Sequence, residues 1–202
     1  MTTAVALLPE KRKMLEPKRY TLEEYLAREE KSKYKHEYYK GEIKRMAGGT
    51  SNHSEISINI GFAIKNAIKN AKKNLRVFDS NLGIYISEMD AVFYADILVV
   101  FEKLEYKFGS KSLLINPILI VEVASKSTRN FDREEKFEAY KTLPSFKEYI
   151  LIEQTKPQIE SRLITDSNRW ETEIVNDLSK TITLRSLGIE ILLSDIYENI
   201  EF

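Results

Sequence analysis

The chain has 202 residues and balances 31 Lys plus Arg against 31 Asp plus Glu, which argues against a protein that coats nucleic acid unspecifically. At 43% hydrophobic residues it can bury one substantial core, and without a cysteine it has no disulfide framework, thiolate metal site or cysteine nucleophile. The same absence fits a reducing, cytoplasmic setting, and no apolar run approaches the ~20 residues of a membrane span.

The N-terminus, MTTAVALLPEKRKML, puts its apolar piece before its charges, the wrong order for a secretion signal, so residues 1–19 are expected to be a flexible tail. Residues 20–202 read as one domain, because 7 glycines and 5 prolines are spread thinly and no repeat divides the chain. Thr21 and Glu24 make a capping box at the head of a short helix, TLEEYLAREE. HEYYKGEIKRMAG predicts two short strands around a Lys40–Gly41 turn. From about Ser54 to Lys73 the spacing of Ile56, Ile60, Ala63, Ile64, Ala67 and Ala71 predicts a helix with one apolar face. Lys65, Lys69, Lys72 and Lys73 fall roughly opposite. Such a stripe suits phosphate contacts, which add affinity without sequence preference, and equally suits the solvated face of an ordinary amphipathic helix.

The chain then turns β-rich: LRVFDS, LGIYIS, AVFYADILVVF and INPILIVEVAS. A helix is predicted from about Phe131 to Lys141, closed by Pro144. EYILIEQ, IESRLITD, RWETEIVND and KTITLRS follow as strands, and GIEILLSDIYENI as a strand ending in a helical turn. This order makes a mixed α/β (α+β) domain.

Two acids interrupt the apolar runs: Asp96 in AVFYADILVVF and Glu122 in ILIVEVAS. If the two strands pair antiparallel with Phe101 opposite Pro117, Asp96 faces Glu122, with Cβ atoms ~5 Å apart. A one-residue slip would put the acids on opposite faces. Two converging carboxylates repel unless something compensates them, and a hard cation such as Mg²⁺ does so through oxygen ligands. Such an ion can polarise a phosphodiester and generate hydroxide from bound water. The alternative is that each acid pairs with a lysine or arginine, or lies at a solvated strand edge. A metal-dependent phosphodiesterase also needs a cation near the attacking water. Lys126, four residues after Glu122, would share its face on an unbroken strand. Lys136 lies on the next helix with Asp132 and Tyr140 at i−4 and i+4, a spacing that by itself favours a solvated Asp–Lys pair.

The order AD-hydrophobic run, NPILIVEVASKSTRNFDREEKFEAY, then EYILIE resembles the Uma-two family of restriction-endonuclease-like proteins, within the PD-(D/E)XK nucleases. The upstream YTLEEYLAREEKSKYKHEYYKGEIKRMAGGTSNH resembles the family's N-terminal part, so the likeness spans about residues 20 to 200. It implies a restriction-endonuclease-like fold, a mixed β-sheet flanked by helices, and Mg²⁺- or Mn²⁺-dependent endonuclease action on DNA. It makes Asp96 and Glu122 the metal-binding acids, with the Val123 carbonyl as a further ligand, and Lys136 the catalytic lysine, since Ala124 stands where the E-x-K lysine would be. Glu37 and His53 match polar positions of the N-terminal part that would complete the site. Read alone, Glu37 is an exposed strand charge and His53 a helix-entry residue. The chain departs from the family at Ala95 and Lys126, where proline is usual, and at Lys40, where an acid is usual. Cutting both strands would favour a homodimer. The rival reading is a catalytically silent module that binds nucleic acid or protein on the same scaffold.

Overall fold

Thr21 caps α1 (Leu22–Glu29) as expected: its hydroxyl accepts from the Glu24 N–H, and the Glu24 carboxylate accepts from the Thr21 N–H. The computed structural model describes residues 18–125 and 130–202. Of the expected N-terminal tail only Lys18 and Arg19 fall within them, and Lys126 lies outside. β1 (His36–Tyr39) and β2 (Glu42–Arg45) pair antiparallel around Lys40 and Gly41, both at positive φ, where glycine carries no steric penalty.

α2 (Ser51–Asn70) begins earlier than its apolar spacing indicates, because the Thr50 hydroxyl accepts from the His53 N–H and caps it. Ile56, Ile60, Ile64 and Ile68 are buried. The helix also ends earlier than expected. Lys72 turns left-handed at φ 51°, so Ala71 is exposed and Lys72 and Lys73 stand beyond the helix. Gly61 lets α2 approach closely, since a Cβ there would meet Ile97 Cδ1 at 2.8 Å.

The strands that follow are β3 (Leu75–Asp79), β4 (Gly83–Ile86), β5 (Ala91–Phe93), β6 (Ile97–Phe101), β7 (Leu113–Leu114), β8 (Pro117–Ala124), β9 (Glu148–Glu153), β10 (Ile159–Ile164) and β11 (Trp170–Val175). A six-stranded sheet runs β11-β10-β9-β8-β6-β3, with β8 and β9 parallel and the other pairs antiparallel. A five-stranded sheet runs β2-β1-β5-β4-β7. β12 (Thr181–Leu184) and β13 (Ile189–Leu192) form a hairpin ahead of α4 (Leu193–Ile196).

AVFYADILVVF, read from sequence as one strand, is two. β5 belongs to the smaller sheet and β6 to the larger, and the chain crosses between them at Tyr94, Ala95 and Asp96. Both strands are buried almost throughout, so the unbroken apolar run carries no sign of the change of sheet. The expected pairing of Phe101 with Pro117 is also off by one, because Val100 pairs with Pro117. An irregularity between Val99 and Val100 absorbs the difference, beside a proline that offers no N–H to the ladder. Ile97 then faces Val121 in the expected register, and Asp96, just ahead of the strand, accepts from the Val123 N–H beside Glu122.

α2, the β12–β13 hairpin and α4 cover one face of the larger sheet, packing on Val99, Val121 and Val123. The opposite face, through Leu98, Ile120, Ala124 and Tyr149, packs against Ile84 and Phe93 of the smaller sheet and against Tyr140. Strand alternation therefore puts Glu122 between the two sheets, not under α2. Among the described residues no helix is long and apolar enough to cross a membrane.

Glu148, fully buried at the start of β9, accepts from the Ser161 hydroxyl, the Arg185 N–H, and the Ser186 N–H and hydroxyl. It thereby pins the end of β12 to the central sheet. Glu148→Ala strands these donors, and urea unfolding is expected to show a loss of about 3 kcal/mol or more.

Candidate active site

Glu122 is 4% exposed, and its Oε1 accepts from the Tyr140 hydroxyl at 3.1 Å and the Lys136 ammonium at 3.2 Å. Lys136, buried to a similar degree, is also ion-paired with Glu37 Oε1 of β1 at 2.8 Å and Asp132 Oδ1 at 3.4 Å. Its Nζ lies 5.7 Å from the centre of the Phe93 ring. One ammonium thus joins carboxylates from β1, β8 and the segment that carries the lysine.

That segment is not the plain α-helix its sequence predicts. Phe131–Lys136 is π-helical and runs into a short α3 (Phe137–Tyr140). Two of its carbonyls are taken by side chains: Asp132 O accepts from the Tyr149 hydroxyl and Arg133 O from Arg162 Nη1, each at 2.8 Å. Arg133 and Arg162 both pair with the buried Glu160 of β10. Widened turns of this kind recur at functional sites. Here the turn is anchored to β9 and β10, which holds Lys136 against Glu122.

Asp96 sits where β6 begins. Its Oδ2 accepts from the Val123 N–H at 2.8 Å and lies 3.3 Å from His53 Nε2 at the head of α2. In an extended strand the N–H and C=O of one residue point to the same side, so the Val123 carbonyl faces the Asp96 side of β8. Gln154 Nε2 donates to the Ala124 carbonyl at 2.9 Å, and its Oε1 takes the Thr50 hydroxyl, tying the head of α2 to the end of β8.

The electrostatics follow from this crowding. Burial pushes the Glu122 carboxyl well above the usual carboxylate range, and the charges of Asp132, Asp96 and Glu37 push it further while Lys136 pulls it down. Burial alone would lower Lys136, but Glu122, Glu37 and Asp132 outweigh it and hold the ammonium firmly protonated. His53 is raised by its hydrogen bond to Asp96, against burial. Burial also raises the Tyr140 hydroxyl, which keeps it a hydrogen-bond donor to Glu122.

Glu122, Lys136, Glu37, Asp132 and Tyr140 therefore converge between the two sheets, and Asp96, held by His53 from the α2 side and by the Val123 N–H, lies beside them at the start of β6. Lys65, Lys69, Lys72 and Lys73 do not join them. All are exposed, and only Lys65 and Lys69 lie on α2. Lys65 lines a shallow groove with Phe62, Val77 and Asp79. Sequence reasoning missed Gln154, Tyr149 and the Arg133–Glu160–Arg162 group. Each looks like an ordinary strand or helix residue, and only the fold shows what it holds.

The donor chemistry fits a hard divalent cation, which takes carboxylate and carbonyl oxygens. Among the described residues no three His, Asp or Glu side chains form a ready ligand cage, so an ion here would rest on Asp96, Glu122 and the Val123 carbonyl. The contacts described above use one oxygen of each acid, Oδ2 of Asp96 and Oε1 of Glu122. The excess of carboxylates over the single lysine is the imbalance that such an ion would neutralise.

The mixed central sheet, the helices flanking it and the second sheet over the acids define a restriction-endonuclease-like fold. A crystal structure from Anabaena variabilis, described as a "putative nuclease belonging to DUF820", shares it with a TM-score of 0.71 at 18% identity, covering 88% of this chain and 97% of that one. Residues 22–194 match the model of the Uma2 family, described as "Putative restriction endonuclease", and the chain belongs to that family. Two uncharacterized proteins of Synechocystis sp. are similar over most of their length. One, sll1609, is 33% identical over 74% of this chain and 84% of its own; the other, slr1290, is 32% identical over 89% and 92%.

Proposed function

We propose that this protein hydrolyses phosphodiester bonds in DNA with Mg²⁺ or Mn²⁺ held by Asp96, Glu122 and the Val123 carbonyl. The observation that carries the reading is the buried Glu122 carboxylate with the Lys136 ammonium 3.2 Å away and the Asp96 carboxylate bonded to the N–H of the next residue, Val123. When bound, the ion polarises the phosphodiester and lowers the pKa of a water. The protein's own groups do the rest. Lys136 orients the attacking water and offsets charge growing on the phosphate oxygens. Glu37 and Asp132 hold that ammonium in place, and Tyr140 steadies Glu122. His53 and the Val123 N–H fix the Asp96 carboxylate. Lys65, Lys69, Lys72 and Lys73 supply contacts to phosphates away from the reaction, which add affinity and no sequence preference.

The test is incubation of plasmid, linear and single-stranded DNA with the purified protein across a series of divalent metals. Cleavage is expected with Mg²⁺ or Mn²⁺ and none after chelation. No cleavage of any substrate with any metal would favour a silent binding module on the same scaffold. Double-strand breaks that depend on protein concentration would point to two copies acting together.

A further inference from the structure

Glu37 and Phe93, both against Lys136, also line a cleft of about 340 Å³, within the size range of small-ligand sites. Its apolar surface comes from Tyr39, Phe93 and Phe131. The Phe131 ring stands edge-on to both others, 5.8 Å from Phe93 at 87° and 6.4 Å from Tyr39 at 80°. Phe93 is fully buried, whereas Tyr39 and Phe131 are half-buried, so the aromatic cluster runs from the catalytic lysine out to solvent. Lys40 and Lys44 reach over it, with ammonium groups 4.9 Å from the Tyr39 ring centre and 5.3 Å from that of Phe131.

The charges decide what such a cleft would take. Arg19, Lys40 and Lys44 are matched by Glu37, Glu42 and Glu135, so the lining is balanced and a bare anion gains little there. A flat, neutral heterocycle gains more. It covers the half-exposed rings, and its edge groups meet both donors and carboxylate acceptors. We propose that the cleft receives one unpaired nucleobase of the DNA strand and makes the protein selective for single-stranded or locally opened DNA. A paired base is held in its stack and must leave it to enter such a pocket. The choice of ligand rests on the nuclease reading above, but the test needs no cleavage.

Binding is measured by fluorescence anisotropy in EDTA, using a short labelled DNA strand and the duplex of the same sequence. The single strand is expected to bind at least about tenfold more tightly. Tyr39→Leu and Phe131→Ala should each remove most of that preference, with circular dichroism confirming that the variants are folded, and leave duplex binding as it was. Lys44→Ser, at an exposed position, should weaken single-strand binding and flatten its salt dependence. A 2-aminopurine in the strand should change its fluorescence on binding to the wild type and not to Phe131→Ala. Equal affinity for strand and duplex, or a preference that survives both aromatic variants, overturns the inference. A preference that the aromatic variants abolish, in a protein that cuts no DNA with Mg²⁺ or Mn²⁺, upholds the cleft and removes the nuclease reading. Metal-dependent cleavage without any preference does the reverse.

Discussion

Glu122→Ala and Asp96→Ala are each expected to cut Mg²⁺-dependent DNA cleavage by about a thousandfold or more, because in the proposed mechanism each removes a ligand of an ion that would supply several kcal/mol to the transition state. The fold should survive both changes. Glu122 is a buried carboxylate beside three others, and without it Lys136 keeps Glu37 and Asp132 as partners. Like-charge repulsion is relieved while no ammonium is stranded. Asp96→Ala strands the Val123 N–H, a cost of about 1–3 kcal/mol. Melting curves and plasmid assays on the same preparations separate the two effects. Cleavage that persists in both variants would assign the chemistry to another site.

Lys136→Ala has the opposite balance, and its largest effect should be on stability. It leaves Glu37, Glu122 and Asp132 gathered without their shared cation, the situation in which breaking a buried ion pair costs about 3–5 kcal/mol. Urea unfolding in EDTA should show that loss, and Mg²⁺ should restore part of it by neutralising the same acids. Cleavage by the fraction that remains folded should fall on the order of a hundredfold, the scale of losing one charge-stabilising donor. Unchanged stability would mean that the acids are hydrated or protonated when the lysine is gone, and that the network is not the clamp described here.

Much of this was legible in the sequence, for identifiable reasons. Thr21 with Glu24, and the Lys40–Gly41 turn, are local signals, and they appear where they were read. Asp96 and Glu122 stood out because carboxylates rarely sit in apolar strands without a partner. The register expected from the sequence holds from Ile97 to Val99 and fails toward Phe101, since a local irregularity cannot be read from residue types. Periodicity also cannot show that Ala91–Phe93 and Ile97–Phe101 belong to different sheets, because both are buried almost throughout. Lys136 was the least legible. Its spacing from Asp132 suits a solvated pair, and its burial depends on a π-helical turn anchored by Tyr149 and Arg162, partners that lie 13 and 26 residues further along the chain. The helix limits of α2 moved because Thr50 and Lys72, not the isoleucines, set its ends.

The central claim is that Asp96 and Glu122 share one metal ion. A crystal soaked in Mn²⁺ and measured at the manganese absorption edge tests it most directly. The account predicts an anomalous peak bounded by the Asp96 and Glu122 carboxylates and the Val123 carbonyl, with Lys136 still beside Glu122. A fully soaked crystal with no peak there, and Glu122 bound only to Lys136 and Tyr140, would contradict it.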